Sequence, residues 1–343
     1  ASTGRPGPVV VELPKDMLNP AIKFEYNFPK TTELRTYSPN TKGHSKQIRK
    51  AVTAILEAKK LVIYSGGGII LSNTSEQLTR LVESLNAPIT NTLMGLGGIS
   101  GIHPNYVGML GMHGTLEANK AMANADVILA LGARFDDRVT NNVKKFCPNA
   151  TIVHVDVDPT SISKTIKAHI PVVGCLATVM EQLQAGIDKS SIQIDRSAQE
   201  DWWRQIISWR EQKCLSYNTD GDKIKPQAVI EAVYKATNGD AYVSSDVGQH
   251  QMFAAQYYPF KNPRQWINSG GLGTMGFGLP AAMGVKLAFP DKESVCVTGD
   301  GSIQMNIQEL STCLQYNLAV KVVSLNNRSL GMVRQWQDMI YGG

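Results

Sequence analysis

The sequence predicts an α/β protein built on parallel sheets covered by helices on both faces, and three observations carry that expectation. From Ser45 onward, short apolar runs alternate with amphipathic stretches of helical period. The apolar runs lack the in-out alternation of a half-exposed sheet, which places them in a parallel one. At 343 residues the chain also exceeds what one hydrophobic core usually serves, so two domains are expected.

Taken in order, the segment from Arg5 to Lys15 reads as one short strand without a partner of its own. Residues 16–42, punctuated by Pro20, Pro29 and Pro39, read as a connector across a surface. Ile48, Val52, Ile55 and Leu56 mark the first helix, and Leu61 to Tyr64 a buried strand ending in Ser65-Gly66-Gly67-Gly68. Thr74 to Gln77 has capping-box spacing ahead of a helix carrying Leu78, Leu81, Val82 and Leu85. Strands follow near Ile89 to Thr92, Val127 to Leu131, Thr151 to Val155 and Pro171 to Val173, an alternation that predicts a doubly wound, Rossmann-like domain. The glycine run is a poor nicotinamide fingerprint, because Leu71 stands where a third glycine belongs and no strand-end acid follows at the required distance.

Gly186 to Asp201 is polar and aperiodic, which marks a domain boundary. Trp202, Trp203, Ile206 and Trp209 fit one helix face, as core or interface and not as a base-stacking platform. Pro226 suits the first position of a helix carrying Val229, Ile230 and Val233. Tyr242 to Ser245 then reads as a strand delivering Asp246 to His250 to the strand ends. Ser269 to Pro280 holds five glycines, too many for a packing element and suited to backbone laid against a ligand.

The stretch from Ser294 to Trp336 organises the rest. It reads as a buried strand (Ser294 to Thr298), a Gly299-Asp300-Gly301 turn, and a helix with Ile303, Ile307, Leu310 and Leu314 on one face. A second buried strand (Leu318 to Leu325) and an Asn326-Asn327 turn complete it. Side chains beyond the carboxyl ends of neighbouring parallel strands converge on one crevice, so Asp300 and Asn327 are expected to meet. A carboxylate, an amide oxygen and a following backbone carbonyl suit a small hard cation. Gly299, Gly301 and a helix starting near Ser302 suit phosphate, so the implied ligand is a metal with a diphosphate.

Composition narrows the classes. The net charge of +5 arises from 34 basic and 29 acidic residues without a basic cluster, which does not indicate nucleic-acid or membrane-surface binding. The five cysteines, Cys147, Cys175, Cys214, Cys296 and Cys313, are widely spaced and form no C-x-x-C, which favours reduced thiols and a cytoplasmic setting. No run of 18 apolar residues and no signal-like start is present.

Gly299-Asp300-Gly301 followed after 24 residues by Asn326-Asn327 resembles the thiamin-diphosphate motif of the pyruvate oxidase and acetohydroxyacid synthase superfamily. GQHQMFAAQYY from Gly248, INSGGLGTMGFGLPAA from Ile267 and LGMVRQWQ from Leu330 narrow the resemblance to bacterial-type acetohydroxyacid (acetolactate) synthase catalytic subunits, over essentially the whole chain. The resemblance implies decarboxylation of pyruvate on thiamin diphosphate and transfer of the two-carbon unit to pyruvate or 2-ketobutyrate, in branched-chain amino-acid biosynthesis. It also implies a homodimer or tetramer with a small regulatory subunit. Alternative readings are another thiamin enzyme of this fold, such as a pyruvate oxidase or glyoxylate carboligase, and a non-catalytic flavin-binding module.

By the same resemblance the chain divides into the end of a pyrimidine-binding domain with its linker (1–43), a central FAD domain (44–186), a linker with a helix (187–224) and a thiamin-diphosphate domain (225–343). Most of the pyrimidine-binding domain and the last strands are expected to be missing, leaving a fragment weak or inactive by itself. Magnesium is implied at Asp300, Asn327 and the Ser329 carbonyl. Thiamin diphosphate is implied at Val247, Gln249, His250, Gly273, Met275, Gly299, Gly301, Ser302, Gly331 and Met332. Met275 matches the residue that holds thiamin bent, Trp336 the one that favours 2-ketobutyrate as acceptor, and Lys15 one lining the substrate channel. FAD is implied at Arg5, Gly66, Gly67, Gly68, Thr92, Leu93, Met112, His113, Gly114, Gly132, Arg134, Asp136, Arg138, Asp156, Val157 and Gly174. Asp136 and Asp137 are equally suited to ion pairs with the flanking arginines. Cys175 departs from the pattern, which commonly has Asp there.

Overall fold

A computed structural model describes residues 1–30 and 37–343, so residues 31–36 of the expected connector lie outside the described residues. Two parallel sheets carry the fold. The first contains β1 (Leu61–Ser65), β2 (Ile89–Asn91), β3 (Tyr106–Met109), β4 (Val127–Leu131), β5 (Thr151–Asp156) and β6 (Ile170–Val173) in the order β3-β2-β1-β4-β5-β6. The second contains β7 (Tyr242–Ser245), β8 (Trp266–Asn268), β9 (Ser294–Gly299) and β10 (Lys321–Leu325) in the order β10-β9-β7-β8. The first order is that of a doubly wound dinucleotide-binding sheet.

Burial explains why β1 and β4 carry no charged residue. Ile63 and Leu129 face a core built with the helices Ser45–Glu57, Ser75–Leu85 and Leu176–Asp188. Val62, Tyr64, Ile128 and Ala130 face the opposite core, built with the helices Leu116–Asn124 and Arg196–Arg210. With both faces covered, neither strand has a position for a solvated residue. Trp202 is buried there, edge-on to Trp209 with ring centroids 5.8 Å apart, and its Nε1 donates to Leu61 O at 3.2 Å. The expected boundary segment is therefore partly helical, since Leu176–Asp188 runs into it and Arg196–Arg210, starting within it, packs on the first sheet.

Several expectations need correction. Arg5 to Lys15 forms no strand: Val9, Val10 and Val11 are exposed and no described strand pairs with them, and a 3-10 turn spans Lys15–Leu18. Thr74 precedes its helix without capping it, because its hydroxyl donates back to Ile69 O at 3.3 Å. β3 has no counterpart in the sequence expectation, since its four residues include Gly108 and follow a loop rich in glycine. The helix after Asp300 is broken into Asp300–Ile303, a 3-10 turn Gln304–Asn306 and Glu309–Gln315, leaving Ile307, Leu310 and Leu314 exposed. The strand expected from Leu318 begins at Lys321, and it is not buried: β10 is an edge strand paired with β9 alone. No described helix is long and apolar enough to cross a membrane.

The two sheets meet along a backbone seam. Gly101 N donates to Phe260 O at 2.8 Å, and the Arg264 guanidinium reaches Ile70 O at 3.1 Å and Asn73 Oδ1 at 2.8 Å. A cavity of about 200 Å³ lies in this seam between β3 and the helix Gln249–Tyr257, touching His113 and Gln256.

Candidate functional site

The chain leaves β7 for β8 on one side and returns to β9 on the other, so the strand order of this parallel sheet reverses between β7 and β9. Such a switch point opens a crevice at the carboxyl ends of the strands. Asp246 leaves β7 there, and Asp300 follows Gly299 at the end of β9. Leu325 of β10 is in register with Gly299, so Asp300 and Asn327 leave neighbouring strands at the same end.

His250 lies in the first turn of the helix Gln249–Tyr257, with its ring packed between two glycines. A Cβ built on Gly299 would lie 2.8 Å from its Nδ1, and one on Gly248 would lie 2.7 Å from its Cε1. Burial pushes the imidazole pKa down to about 4, against the opposing pull of the Asp246 and Asp300 carboxylates, so the ring is neutral at pH 7. Its Nε2 is buried and has no partner among the described residues, an expensive state that an acceptor or donor on a ligand would relieve.

Hydrogen bonds join the other walls. Ser302 Oγ donates to Val247 O at 3.1 Å, and Asn306 Nδ2 to Gly276 O at 2.6 Å. Gln249 Nε2 donates to Gln335 Oε1 at 3.0 Å, while its Oε1 accepts from Asn327 Nδ2 at 3.3 Å. Asn327 Oδ1 accepts from Ser329 N at 3.1 Å, in a turn where Arg328 has φ of 56°. Gly331 sits against Gln249 and Asn327, where a Cβ would overlap Gln249 Oε1. Met275 is half-buried and outside every core cluster, with its Cε 3.8 Å from the place of a Cβ on Gly301. Gly273, with φ of 68°, lies beside Val247, and Met332 and Trp336 stand half-buried on the helix Gly331–Trp336.

Lys15 is not brought to this crevice by any ion pair or hydrogen bond among the described residues, and it is exposed in its 3-10 turn. Arg5 reaches the other sheet instead, pairing with Asp158 at 3.2 Å just beyond β5.

The first sheet has its own switch point, between β1 and β4. Gly66, Gly68 and Gly132 meet there so closely that a Cβ on Gly68 would lie 2.7 Å from Gly132 Cα, and Gly132 has φ of 59°. Gly67 faces Met94, and Thr92, next to Leu93, keeps a buried hydroxyl without a partner among the described residues. Asp136 pairs with Arg134 and caps the turn Asp137–Thr140 through Arg138 N, while Asp137 lies 3.9 Å from Arg138. Met112 is exposed, His113 has its pKa lowered by burial and by Arg138, and a Cβ on Gly114 would overlap Met109 O. Asp156, followed by Val157, accepts from Asp158 N at 2.9 Å, and its carbonyl accepts from Gly174 N at 3.0 Å.

Among the buried polar residues, three to which the sequence analysis assigns no role of their own stand at or near the strand ends. Asp246 is wholly buried; Tyr64 Oη and His154 Nδ1 are buried without partners among the described residues. The last two carry a legible signal, a polar side chain flanked by apolar residues within a buried strand (IYS and VHV).

Two family descriptions match the chain, the thiamine pyrophosphate enzyme central domain over residues 48–183 and its C-terminal TPP-binding domain over residues 246–343. Among curated proteins, the chain is 61% identical over 343 residues to the acetolactate synthase isozyme 3 large subunit of Escherichia coli, covering 100% of this chain and 60% of that protein. It is 56% identical over 343 residues to the acetolactate synthase large subunit of Haemophilus influenzae, again covering all of this chain and 60% of the relative. Identity to the probable acetolactate synthase large subunit of Methanococcus aeolicus is 42% over 353 residues, covering 100% of this chain and 59% of the relative. The chain thus spans about 60% of the length of these relatives.

Proposed function

From the premise that the chain belongs to the thiamine pyrophosphate enzymes, within the acetolactate synthase large-subunit family, we propose that its protein decarboxylates pyruvate and transfers the two-carbon unit to a second pyruvate or to 2-ketobutyrate. The observation that carries this reading is the β7–β9 switch point, which collects Val247 to His250, Met275 and Gly299 to Ser302 around one crevice containing an unpartnered, neutral His250 Nε2.

The crevice fits thiamin diphosphate with magnesium. Asp300, Asn327 Oδ1 and the Ser329 carbonyl supply hard oxygen donors from neighbouring strand ends. Gly299 and Gly301 admit backbone close to phosphate, and Gln249 and His250 Nε2 offer polar contacts to it. When bound, thiamin supplies the electron sink for decarboxylation. The chain's own residues orient and enclose: Met275 supports the cofactor opposite Gly301, and Trp336 presents an aromatic face to the acceptor. Selection of an acceptor longer by one methylene is worth roughly 1–3 kcal/mol. Lys15 lines the substrate route in this reading.

The first sheet suits FAD across its strand ends. Its strand order, the Gly66–Gly68 run at the switch point, Arg134, Arg138 and the orphaned Thr92 hydroxyl support that placement. Residues 44–186 are then the central FAD domain and 225–343 the thiamin-diphosphate domain, preceded by the end of a pyrimidine-binding domain (1–43) and separated by 187–224. Relatives described as large subunits support a smaller partner subunit, joined to a homodimer or tetramer of this chain in this reading. Five unpaired cysteines among the described residues support a cytoplasmic setting.

Calorimetric titration of thiamin diphosphate with and without magnesium tests the reading. Binding that requires magnesium and is lost in Asp300→Ala is expected; magnesium-independent binding, or none in the full-length protein, refutes it.

A further inference from the structure

Asp246 is the only carboxylate among the described residues wholly removed from water. Its Oδ1 accepts the N–H of Gly278 at 2.7 Å and its Oδ2 accepts the hydroxyl of Thr298 at 2.5 Å. No cation pairs with it among the described residues, so these two bonds offset its desolvation. A buried carboxylate held this way is costly unless both donors stay in place, which makes the arrangement a geometric constraint.

Those donors come from separate segments. Asp246 itself immediately precedes Val247 to His250; Thr298 immediately precedes Gly299-Asp300-Gly301; Gly278 opens the helix Gly278–Ala288 directly after the segment holding Gly273 and Met275. Ser244 Oγ adds a bond to Gly278 O at 2.8 Å. Position 278 admits no side chain, since a Cβ would lie 2.7 Å from Asp246 N and 3.1 Å from its Cγ.

We infer that Asp246 is a positioning residue, whose two carboxylate oxygens lock the three cofactor-bearing segments of the β7–β9 crevice into one register. The inference rests on the thiamin-diphosphate reading of that crevice. It acts through Thr298 and Gly278 and requires no contact between Asp246 and the cofactor.

The test is calorimetric titration of thiamin diphosphate at saturating magnesium into the full chain as wild type, Asp246→Asn, Asp246→Ala, Thr298→Val and the Asp246→Ala/Thr298→Val double variant, each with its circular dichroism and unfolding midpoint. Asp246→Ala is expected to weaken binding at least tenfold. Asp246→Asn recovers most of that loss, because its Oδ1 still accepts from Gly278 and its Nδ2 donates to the Thr298 hydroxyl. Thr298→Val weakens binding, and the double variant is no weaker than Asp246→Ala alone. Unchanged affinity in folded variants, or losses that simply add, overturns the inference while leaving the site reading intact. A wild type that binds no thiamin diphosphate removes both. Should Asp246→Ala fail to fold, Asp246→Asn against Thr298→Val still decides: equal, undiminished affinity in both overturns the inference.

Discussion

The two switch points look alike in sequence and differ in what their glycines touch. At the first, Gly66, Gly68 and Gly132 press backbone on backbone, and added Cβ atoms would run into Gly132 and Ala133 at 2.9 Å or less. At the second, nothing lies within 4 Å of a Cβ on Gly271, and Gly273 meets only Val247 at 3.8 Å. Glycine in the first crevice closes backbone onto backbone; in the second, Gly248, Gly299 and Gly331 make room for the side chains of His250 and Gln249, while Gly271 and Gly273 leave open space. The same residue thus serves backbone packing at the first strand ends and both side-chain packing and open clearance at the second.

The largest expected effects separate these roles. Gly68→Ala forces two backbone segments apart and is expected to destabilise by about 3 kcal/mol or more, the upper range for overpacking, read as a lowered urea midpoint. Gly271→Ala is expected to stay within about 0.5 kcal/mol of wild type in the same measurement. Equal losses would erase the contrast between the two regions.

The second prediction concerns His250, the buried base of the open crevice. Its folded pKa, about 4, lies below the ordinary value of 6.5 because burial disfavours the charged ring. The unfolded chain therefore binds the proton first as pH falls. Stability contributed by the neutral ring is complete above pH 6.5 and is lost progressively toward pH 4, by up to roughly 3 kcal/mol at about 1.4 kcal/mol per unit. Urea unfolding across pH 4–7 should show that slope in wild type and a flatter one in His250→Gln. His113 and His154 also have lowered values, so the difference between the two proteins, not the wild-type slope, isolates His250.

Legibility in the sequence followed burial. The sequence places β4 and β7 to the residue and β1 to within one residue, because strands buried along their length leave a compact apolar record. β3 and the broken helix after Asp300 were misread because their residues satisfy two periods at once or too few positions of either. The sequence shows that Gly299-Asp300-Gly301 and Asn327 leave neighbouring strands at the same end, whereas it marks Asp246 only as part of a strand end. Its importance lies in donors at Gly278 and Thr298, respectively 32 and 52 residues away, and no local pattern encodes that convergence.

The smallest prediction returns to the first region, where one position is under-built. Cys175 is the N-cap of the helix Leu176–Asp188, with φ of −68° and ψ of 131°, and its side chain caps nothing. The backbone already has the extended conformation that an N-cap requires, and Cys175 N is held by Thr41 O at 3.0 Å. An aspartate there would accept from a first-turn N–H and place negative charge at the positive end of the helix. Cys175→Asp is therefore expected to stabilise by about 1 kcal/mol, a rise of about 2 °C in Tm for a chain of this size. Cys175→Ser should gain less, having the hydrogen bond without the charge. If neither variant gains, the Cys175 environment rejects a capping oxygen, and the first sheet's strand ends are as fully committed to packing there as they are at Gly68.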